Sequence, residues 1–126
     1  MTVRELIGGQ VVTSSPGQSL RDAADTMAAS NVGALAVVRD GRLVGIITER
    51  DLVGAIASSV DTDESPVRDW MTQDPDSLDP DMDVEAAADW MLAAGYRHLP
   101  VVDGVNLIGV LSIKDVLWAV TAPTTT

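Results

Sequence analysis

Residues 43–51 read LVGIITERD, and residues 107–115 read LIGVLSIKD. The two stretches are 64 positions apart, and the match extends without gaps in both directions, so that residues 3–56 lie over residues 67–120. Identical pairs at this offset include Val3/Val67, Arg4/Arg68, Pro16/Pro80, Asp25/Asp89, Met27/Met91, Leu35/Leu99, Gly45/Gly109 and Asp51/Asp115. Composition alone does not produce a register in which strands, turns and charged residues all correspond. The chain therefore contains two copies of one structural unit.

The repeat divides the 126 residues into two copies and a short polar linker. We assign residues 1–58 to the first repeat, 59–66 to the linker, 67–120 to the second repeat and 121–126 to a tail. A single repeat of about 54 residues buries only about 60% of its unfolded surface, so it is marginal alone. We therefore expect both repeats to form one module, in which they pack through their apolar sheet faces about a pseudo-twofold axis.

Each copy shows the same order of elements. In the first copy, Ser19 precedes apolar residues spaced as on one face of a helix and Asn31 ends that helix, while Asp83 and Gly95 take these places in the second copy. After this helix, each copy is predicted to form two strands joined by a tight turn, followed by a second helix. The strands are at 34–38 and 43–47 in the first copy and at 98–102 and 107–111 in the second. The second helices are at 49–57 and 113–121. Residues 10–13 and 76–78 are candidates for leading strands. Each repeat is then β-α-β-β-α, and the fold class is α+β.

Composition limits the function classes. The formal net charge of −11 repels polyanions at long range, so we expect no nucleic-acid and no membrane partner. The absence of Cys excludes disulfides and thiol catalysis, and with a single His we expect no metal site. The sequence shows neither a secretory signal pattern nor an apolar run long enough to span a bilayer, which predicts a cytoplasmic protein.

A hydroxyl and a carboxylate recur three residues apart where an apolar strand enters a helix, as Thr48 with Asp51 and as Ser112 with Asp115. One interpretation is a variant of the capping box, which satisfies the free backbone N–H groups of a helix and needs no ligand. The other is a ligand site, in which the helix N-terminus and basic neighbours receive a phosphate and the carboxylate accepts hydrogen bonds from ribose hydroxyls. Recurrence in both copies favours the second interpretation, and the first stays open.

Taken together, these stretches resemble the cystathionine β-synthase (CBS) domain pair, also called the Bateman module. The resemblance covers residues 3–120 and rests on VRDWMT at 67–72, RHLPVVD at 97–103 and the two strand-to-helix motifs. It implies a regulatory module that binds an adenosine-containing ligand, such as AMP, ADP, ATP, S-adenosylmethionine or NAD, in the clefts between the repeats. No cofactor is required for catalysis in this interpretation, because the ligand is regulatory.

The resemblance also implies roles for individual residues. Asp51 and Asp115 match the ribose-binding acids, and Thr48 and Ser112 match the hydroxyls near ribose and phosphate. Ile46 and Val110 match apolar positions that contact the nucleoside. Arg97 and His98 match basic positions near phosphate, and Gly33 and Ala34 are their uncharged counterparts in the first repeat. Arg50 and Lys114, the basic neighbours of the two motifs, are the remaining candidates. The missing charge in the first repeat argues against two equally strong phosphate sites.

Three function classes follow. The leading hypothesis is a non-enzymatic adenosine-ligand sensor, and the alternative is a ligand-independent module that dimerises or binds a protein partner through vestigial clefts. Trp90 and Trp118 replace the smaller Thr26 and Gly54 of the first repeat, which indicates either an apolar patch for homodimer formation or packing within the core. An enzyme is not expected, because the sequence has no Gly-rich phosphate loop and no nucleophile elbow.

Overall fold

The computed structural model describes residues 1–8 and 11–121, and the chain divides into two units. The 11–75 unit holds the body of the first repeat together with the linker and residues 67–75, the leading segment of the second repeat. The 76–121 unit holds the body of the second repeat together with residues 1–8. Each unit therefore contains the leading segment of the other repeat.

The 11–75 unit contains a four-stranded sheet with two helices. Its elements are β1 (Thr13–Ser14), α2 (Leu20–Ser30), β2 (Ala34–Arg39), β3 (Arg42–Thr48), α3 (Glu49–Ala57), a 3₁₀ turn at Val67–Asp69 and β4 (Thr72–Gln73). The strand order is β1-β2-β3-β4, with β1 parallel to β2 and the other pairs antiparallel. The buried core side chains come from α2, β2, β3 and α3 and from the 3₁₀ turn.

The 76–121 unit repeats this plan with fewer strands. It consists of α1 (Val3–Leu6), α4 (Val84–Ala94), β5 (His98–Asp103), β6 (Asn106–Ser112) and α5 (Ile113–Thr121). The strands β5 and β6 form an antiparallel hairpin. Their buried residues pack with α4 and α5 into one apolar core.

The leading segment of each repeat fills the core of the other repeat's unit. Val3 in α1 belongs to the core of the 76–121 unit, and its counterpart Val67 belongs to the core of the 11–75 unit. Both side chains are 0% exposed. Backbone hydrogen bonds hold α1 in place, since Val3 N–H donates to the Met82 carbonyl at 2.9 Å and Arg4 N–H to the Pro80 carbonyl at 2.7 Å.

The predicted helix boundaries are confirmed. Ser19 caps α2, because its Oγ accepts from the backbone N–H of Asp22 at 3.0 Å, and Asn31 ends the helix in the left-handed conformation with φ of 54°. Gly95 ends α4 in the same way with φ of 77°. Asp83 lies at the N-terminus of α4 in extended conformation, but its side chain makes no capping hydrogen bond.

The predicted leading strands differ from those observed. In the first repeat the strand is Thr13–Ser14 instead of 10–13, and Gln10 lies outside the described residues. In the second repeat, residues 76–78 form no strand, and only a single parallel bridge joins Leu78 to Val101. Leu78 nonetheless makes two backbone hydrogen bonds to β5. Its N–H donates to the carbonyl of Pro100 at 2.8 Å, and its carbonyl accepts from the N–H of Val102 at 3.1 Å. The neighbouring acidic and proline residues explain why the pairing extends no further.

Among the residues that the structure describes, no helix combines the length and apolar character needed to cross a membrane.

Candidate functional site

In the 11–75 unit, the strand-to-helix motif forms a complete capping box. Thr48 N–H donates to Asp51 Oδ2 at 2.9 Å, and Asp51 N–H donates to Thr48 Oγ1 at 3.3 Å. The Thr48 hydroxyl also donates to Asp51 Oδ2 at 3.1 Å. These bonds satisfy N–H groups that have no partner within the helix. The capping interpretation is therefore confirmed for this copy, and it leaves Oδ1 of the half-buried Asp51 outside these bonds.

The start of β2 lies against this motif. Ala34 is the cross-strand partner of Thr48, and the carbonyl of Gly33 accepts from the N–H of Glu49 at 2.9 Å. Gly33, Ala34, Thr48 and Asp51 therefore meet at one corner, the open end of the β2–β3 hairpin. We call it the Thr48 corner.

The 76–121 unit has the equivalent corner with different chemistry. His98 is the cross-strand partner of Ser112, and the carbonyl of Arg97 accepts from the N–H of Ile113 at 2.7 Å. The exposed Arg97 and the half-buried His98 thus stand where the first repeat has Gly33 and Ala34. We call this the Ser112 corner.

Only half of the capping box forms at the Ser112 corner. Asp115 N–H donates to Ser112 Oγ at 3.2 Å. In the part of the chain that the structure describes, the return bond from Ser112 N–H to the Asp115 carboxylate is not made. Asp115 is also exposed, whereas Asp51 is half-buried. The carboxylate of Asp51 therefore accepts capping hydrogen bonds from Thr48, whereas the carboxylate of Asp115 does not accept one from Ser112 N–H in the described residues.

The remaining candidate residues lie on the same elements. Ile46 is buried in the middle of β3, between Ala36 of β2 and Thr72 of β4, and Val110 is half-buried opposite Pro100. Arg50 and Lys114 are exposed in the first turns of α3 and α5. The structure thus groups the twelve predicted residues into two sets of six, one for each unit.

The sequence interpretation missed a groove at the opposite end of the β2–β3 hairpin. It has a volume of about 230 Å³ and is lined by Arg39, Val44, Arg68, Met71, Gln73 and Asp74. A comparison of charges at the offset of 64 would have found it, because Arg39 corresponds to Asp103.

The counterpart of Arg68 is in a different electrostatic setting. Arg4 donates from Nε to Asp81 Oδ1 and from Nη2 to Asp103 Oδ2, both at 3.2 Å. The hydrogen bond to Asp81, followed by the bond to Asp103, raises the pKa of Arg4 above its usual value. Arg4 is thus a paired charge that ties α1 to its unit.

Comparisons with known proteins show what the chain is similar to. The model of the CBS domain matches twice, at residues 3–58 and 67–122. The chain is 35% identical over 114 residues to the CBS domain-containing protein YhcV of Bacillus subtilis, covering 90% of this chain and 81% of that protein. It is similar to the solved structure of a protein with CBS domains from Burkholderia ambifaria, with a TM-score of 0.91, 29% identity and coverage of 100% of this chain and 98% of the other.

A further similar structure was solved with a ligand. It is a CBS domain protein of Pyrobaculum aerophilum complexed with AMP. The TM-score is 0.84 with 28% identity, and the match covers 91% of this chain and 89% of that one.

Proposed function

Because the chain belongs to the CBS domain family and carries two CBS domains, we propose that it is a regulatory module whose two corners bind an adenosine-containing ligand. The observation that carries this proposal is the Ser112 corner, where Arg97 and His98 lie at the strand end opposite Ser112 and the carboxylate of Asp115 is exposed. The AMP complex of the Pyrobaculum aerophilum relative supports the ligand class. AMP, ADP, ATP and S-adenosylmethionine all belong to it.

The chemistry of the corners assigns a role to each side chain. The carboxylates of Asp51 and Asp115 can only accept hydrogen bonds when ionised, which suits the two vicinal hydroxyls of ribose. Both bonds that Asp51 accepts at the Thr48 corner end on Oδ2, so Oδ1 is available for a ligand hydroxyl. Arg97 and His98 provide donors for a phosphate at the Ser112 corner.

The two corners differ in the ligand that they favour. Gly33 and Ala34 bring no charge to the Thr48 corner, whereas Arg97 and His98 bring donors to the Ser112 corner. A phosphate-bearing ligand therefore gains charge-assisted hydrogen bonds mainly at the Ser112 corner. Ile46 and Val110 supply the apolar contacts to the nucleoside in this proposal.

The module acts by binding and not by catalysis in this proposal. Ligand binding would instead change the packing of the module and so signal to a partner.

Calorimetric titration with AMP, ADP, ATP and S-adenosylmethionine tests the proposal. Asp115→Ala is the sharpest variant, because it removes a carboxylate that does not complete a capping box. We expect its affinity to fall by roughly 1.5–3 kcal/mol, as for other charge-assisted hydrogen bonds. Asp89→Ala is the matched control, since it removes an exposed carboxylate from α4 of the same unit.

Two results would count against the ligand site. The proposal fails if none of the four ligands produces binding heat or a shift of the melting temperature. It also fails at the Ser112 corner if Asp115→Ala and Asp89→Ala bind equally well. Mass spectrometry of small molecules that co-purify with the protein would identify the ligand directly.

The second candidate function is a dimerisation module without a ligand. It is favoured by large apolar side chains that stay exposed in each unit, namely Val53 and Ile56 on α3, Leu92 on α4 and Trp118 on α5. A second copy of the chain is the occupant that we propose for these side chains. A stable dimer whose melting temperature responds to no adenosine ligand would favour this function over the first.

A further inference from the structure

The groove lined by Arg39 and Arg68 differs in charge from its counterpart in the other unit. In the 76–121 unit, Arg4 is paired with Asp81 and Asp103. In the 11–75 unit the residue equivalent to Arg4 is Arg68, and the positions of the two acids are taken by Gly17 and Arg39. Two negative charges are thereby lost and one positive charge is gained at the same place in the fold.

Arg68 keeps its place in the fold without its acidic partners. Its guanidinium lies next to Gly17, because Nη1 would be 3.8 Å from a Cβ atom added there. Among residues 1–8 and 11–121, no carboxylate lies within 4.0 Å of the guanidinium groups of Arg39 or Arg68. The two cations thus line one groove without a close ion pair to either of them.

A third cation lies at the same end of the hairpin. Arg42 is the cross-strand partner of Arg39, so both side chains are on one face of the sheet. Like charges directly opposite each other destabilise a hairpin. In the other unit the same pair is Asp103 and Asn106, which has no such repulsion. Repulsion between these positive charges therefore lowers the stability of the hairpin in the 11–75 unit, and a bound anion would offset this repulsion.

We infer that this groove, which we call the Arg39 groove, binds a small phosphate-type anion. Two guanidinium groups can each donate two parallel hydrogen bonds to phosphate oxygens, and a dianion matches their charge. The Gln73 side chain provides a further donor at the wall of the groove. The volume of about 230 Å³ is below the roughly 300–1,000 Å³ of sites for drug-sized ligands, which favours a small anion.

Asp74 limits the position of the anion. Asp74 also lines the groove. Because its negative charge repels a negative ligand, we place the phosphate on the side of the two arginines. Asp74 has a positive φ of 45°, a conformation that Asn adopts readily. Asp74→Asn therefore removes the repulsion with little effect on the backbone.

The Arg39 groove is separate from the Thr48 corner. Arg39 and Val44 lie at the turn end of the hairpin, whereas Thr48 lies at its open end. The four residues from Val44 to Thr48 span about 13 Å at about 3.3 Å per residue. The inference therefore does not depend on the proposed adenosine ligand.

The test follows the Nε–Hε signals of Arg39 and Arg68 by NMR while inorganic phosphate is added at constant ionic strength. We expect both signals to shift in a saturable way, and chloride at the same ionic strength to leave them unchanged. Glycerol 3-phosphate is titrated in parallel. Tighter binding of the monoester would identify a phosphorylated metabolite as the source, and tighter binding of phosphate would identify the free ion; both support the site.

The most informative variant restores one of the two acids that pair with the arginine in the other unit. Gly17→Asp places a carboxylate beside Arg68 as Asp81 lies beside Arg4, and the added Cβ fits because its nearest neighbour is at 3.8 Å. We expect Gly17→Asp to weaken phosphate binding at least about tenfold, because it competes for the same donors. Gly17→Asn has nearly the same shape without the charge and should bind phosphate like the original protein, whereas Asp74→Asn should bind it more tightly.

The inference is overturned if phosphate and chloride shift the signals equally, or if Gly17→Asp and Gly17→Asn bind phosphate with the same affinity. It is also overturned if Asp51→Ala abolishes the phosphate response, because the anion would then bind at the Thr48 corner. Loss of AMP binding in Asp115→Ala with an unchanged phosphate response would separate the two sites.

Discussion

Ile7 packs directly onto Gly109. A Cβ atom added to Gly109 would lie 2.6 Å from Ile7 Cδ1 and 3.0 Å from Ile7 Cγ2, which is closer than van der Waals contact allows. The other unit has the same arrangement, since a Cβ on Gly45 would lie 2.5 Å from Met71 Sδ and 3.0 Å from the Thr72 carbonyl oxygen. The glycine in the second strand of each hairpin therefore makes room for the leading segment of the other repeat.

This contact predicts that Gly109→Ala lowers the free energy of unfolding by about 1–3 kcal/mol, the usual cost of overpacking. Ile7 is β-branched and adapts poorly, so the added methyl has to displace α1 or the strand. Urea denaturation measures the change. Gly109→Ala should cost less in the Ile7→Ala background than in the original chain, and equal costs in the two backgrounds would contradict the contact.

Gly54→Ala is the matched control for this prediction. Gly54 lies within α3, and a Cβ atom there meets nothing within 4 Å. Because Ala favours the helix over Gly by about 0.8–1 kcal/mol, this variant should be more stable than the original chain. The same substitution thus has opposite signs at the two glycines.

The internal repeat could be predicted from the sequence, but not the exchange of leading segments. The offset of 64 shows that Val3 and Val67 are equivalent. It does not show whether each packs on its own repeat or on the other, because both copies have the same apolar pattern. That choice depends on chain geometry and on close contacts such as Ile7 with Gly109, which no pattern of hydrophobicity records.

The candidate site could be predicted to a similar degree. Spacing alone placed Thr48 with Asp51 and Ser112 with Asp115 at helix starts, and the structure confirms that placement. It could not show that only the first pair closes a full capping box, because the two motifs have the same polar pattern. The Arg39 groove was missed because its signal, the replacement of Asp103 by Arg39, lies outside the two strand-to-helix motifs.

The two capping geometries predict different stability effects for the same substitution. Asp51→Ala removes the acceptor for both Thr48 N–H and the Thr48 hydroxyl, so we expect a loss of about 1 kcal/mol in the free energy of unfolding. Asp115→Ala removes no acceptor of a hydrogen bond from Ser112 N–H, so it should lower the free energy of unfolding by less. Urea denaturation of both variants checks the difference, and equal losses would mean that both boxes are complete in solution.

Tyr96 predicts a pH dependence of stability at alkaline pH. Its hydroxyl donates to the carboxylate of Asp76, and this hydrogen bond, with some desolvation, raises the pKa of Tyr96 above the ordinary 10.0. The folded chain therefore holds this proton more tightly than the unfolded chain. The stabilisation is fully present below about pH 10 and is lost as the pH rises through the raised pKa.

Tyr96→Phe isolates this effect, because it keeps the ring that packs edge-on against Trp90 at a centroid distance of 5.8 Å. Urea denaturation from pH 8 to pH 11.5 should show the stability difference between the two proteins shrinking as the pH rises. A constant difference across this range would show that the hydroxyl does not bond to Asp76 in solution.

The two tryptophans of the second repeat predict opposite effects on stability and association. Trp118 is 72% exposed on α5, whereas Trp90 is half-buried against the core of its unit and contacts Tyr96. Trp118→Ser should therefore leave the free energy of unfolding within about 0.5 kcal/mol of the original, as for other surface changes. Trp90→Ala should lower it by about 2 kcal/mol, because it leaves a gap against the core.

If Trp118 lies in a dimer interface, sedimentation equilibrium will show weaker self-association for Trp118→Ser, and unchanged association would exclude that side chain from the interface.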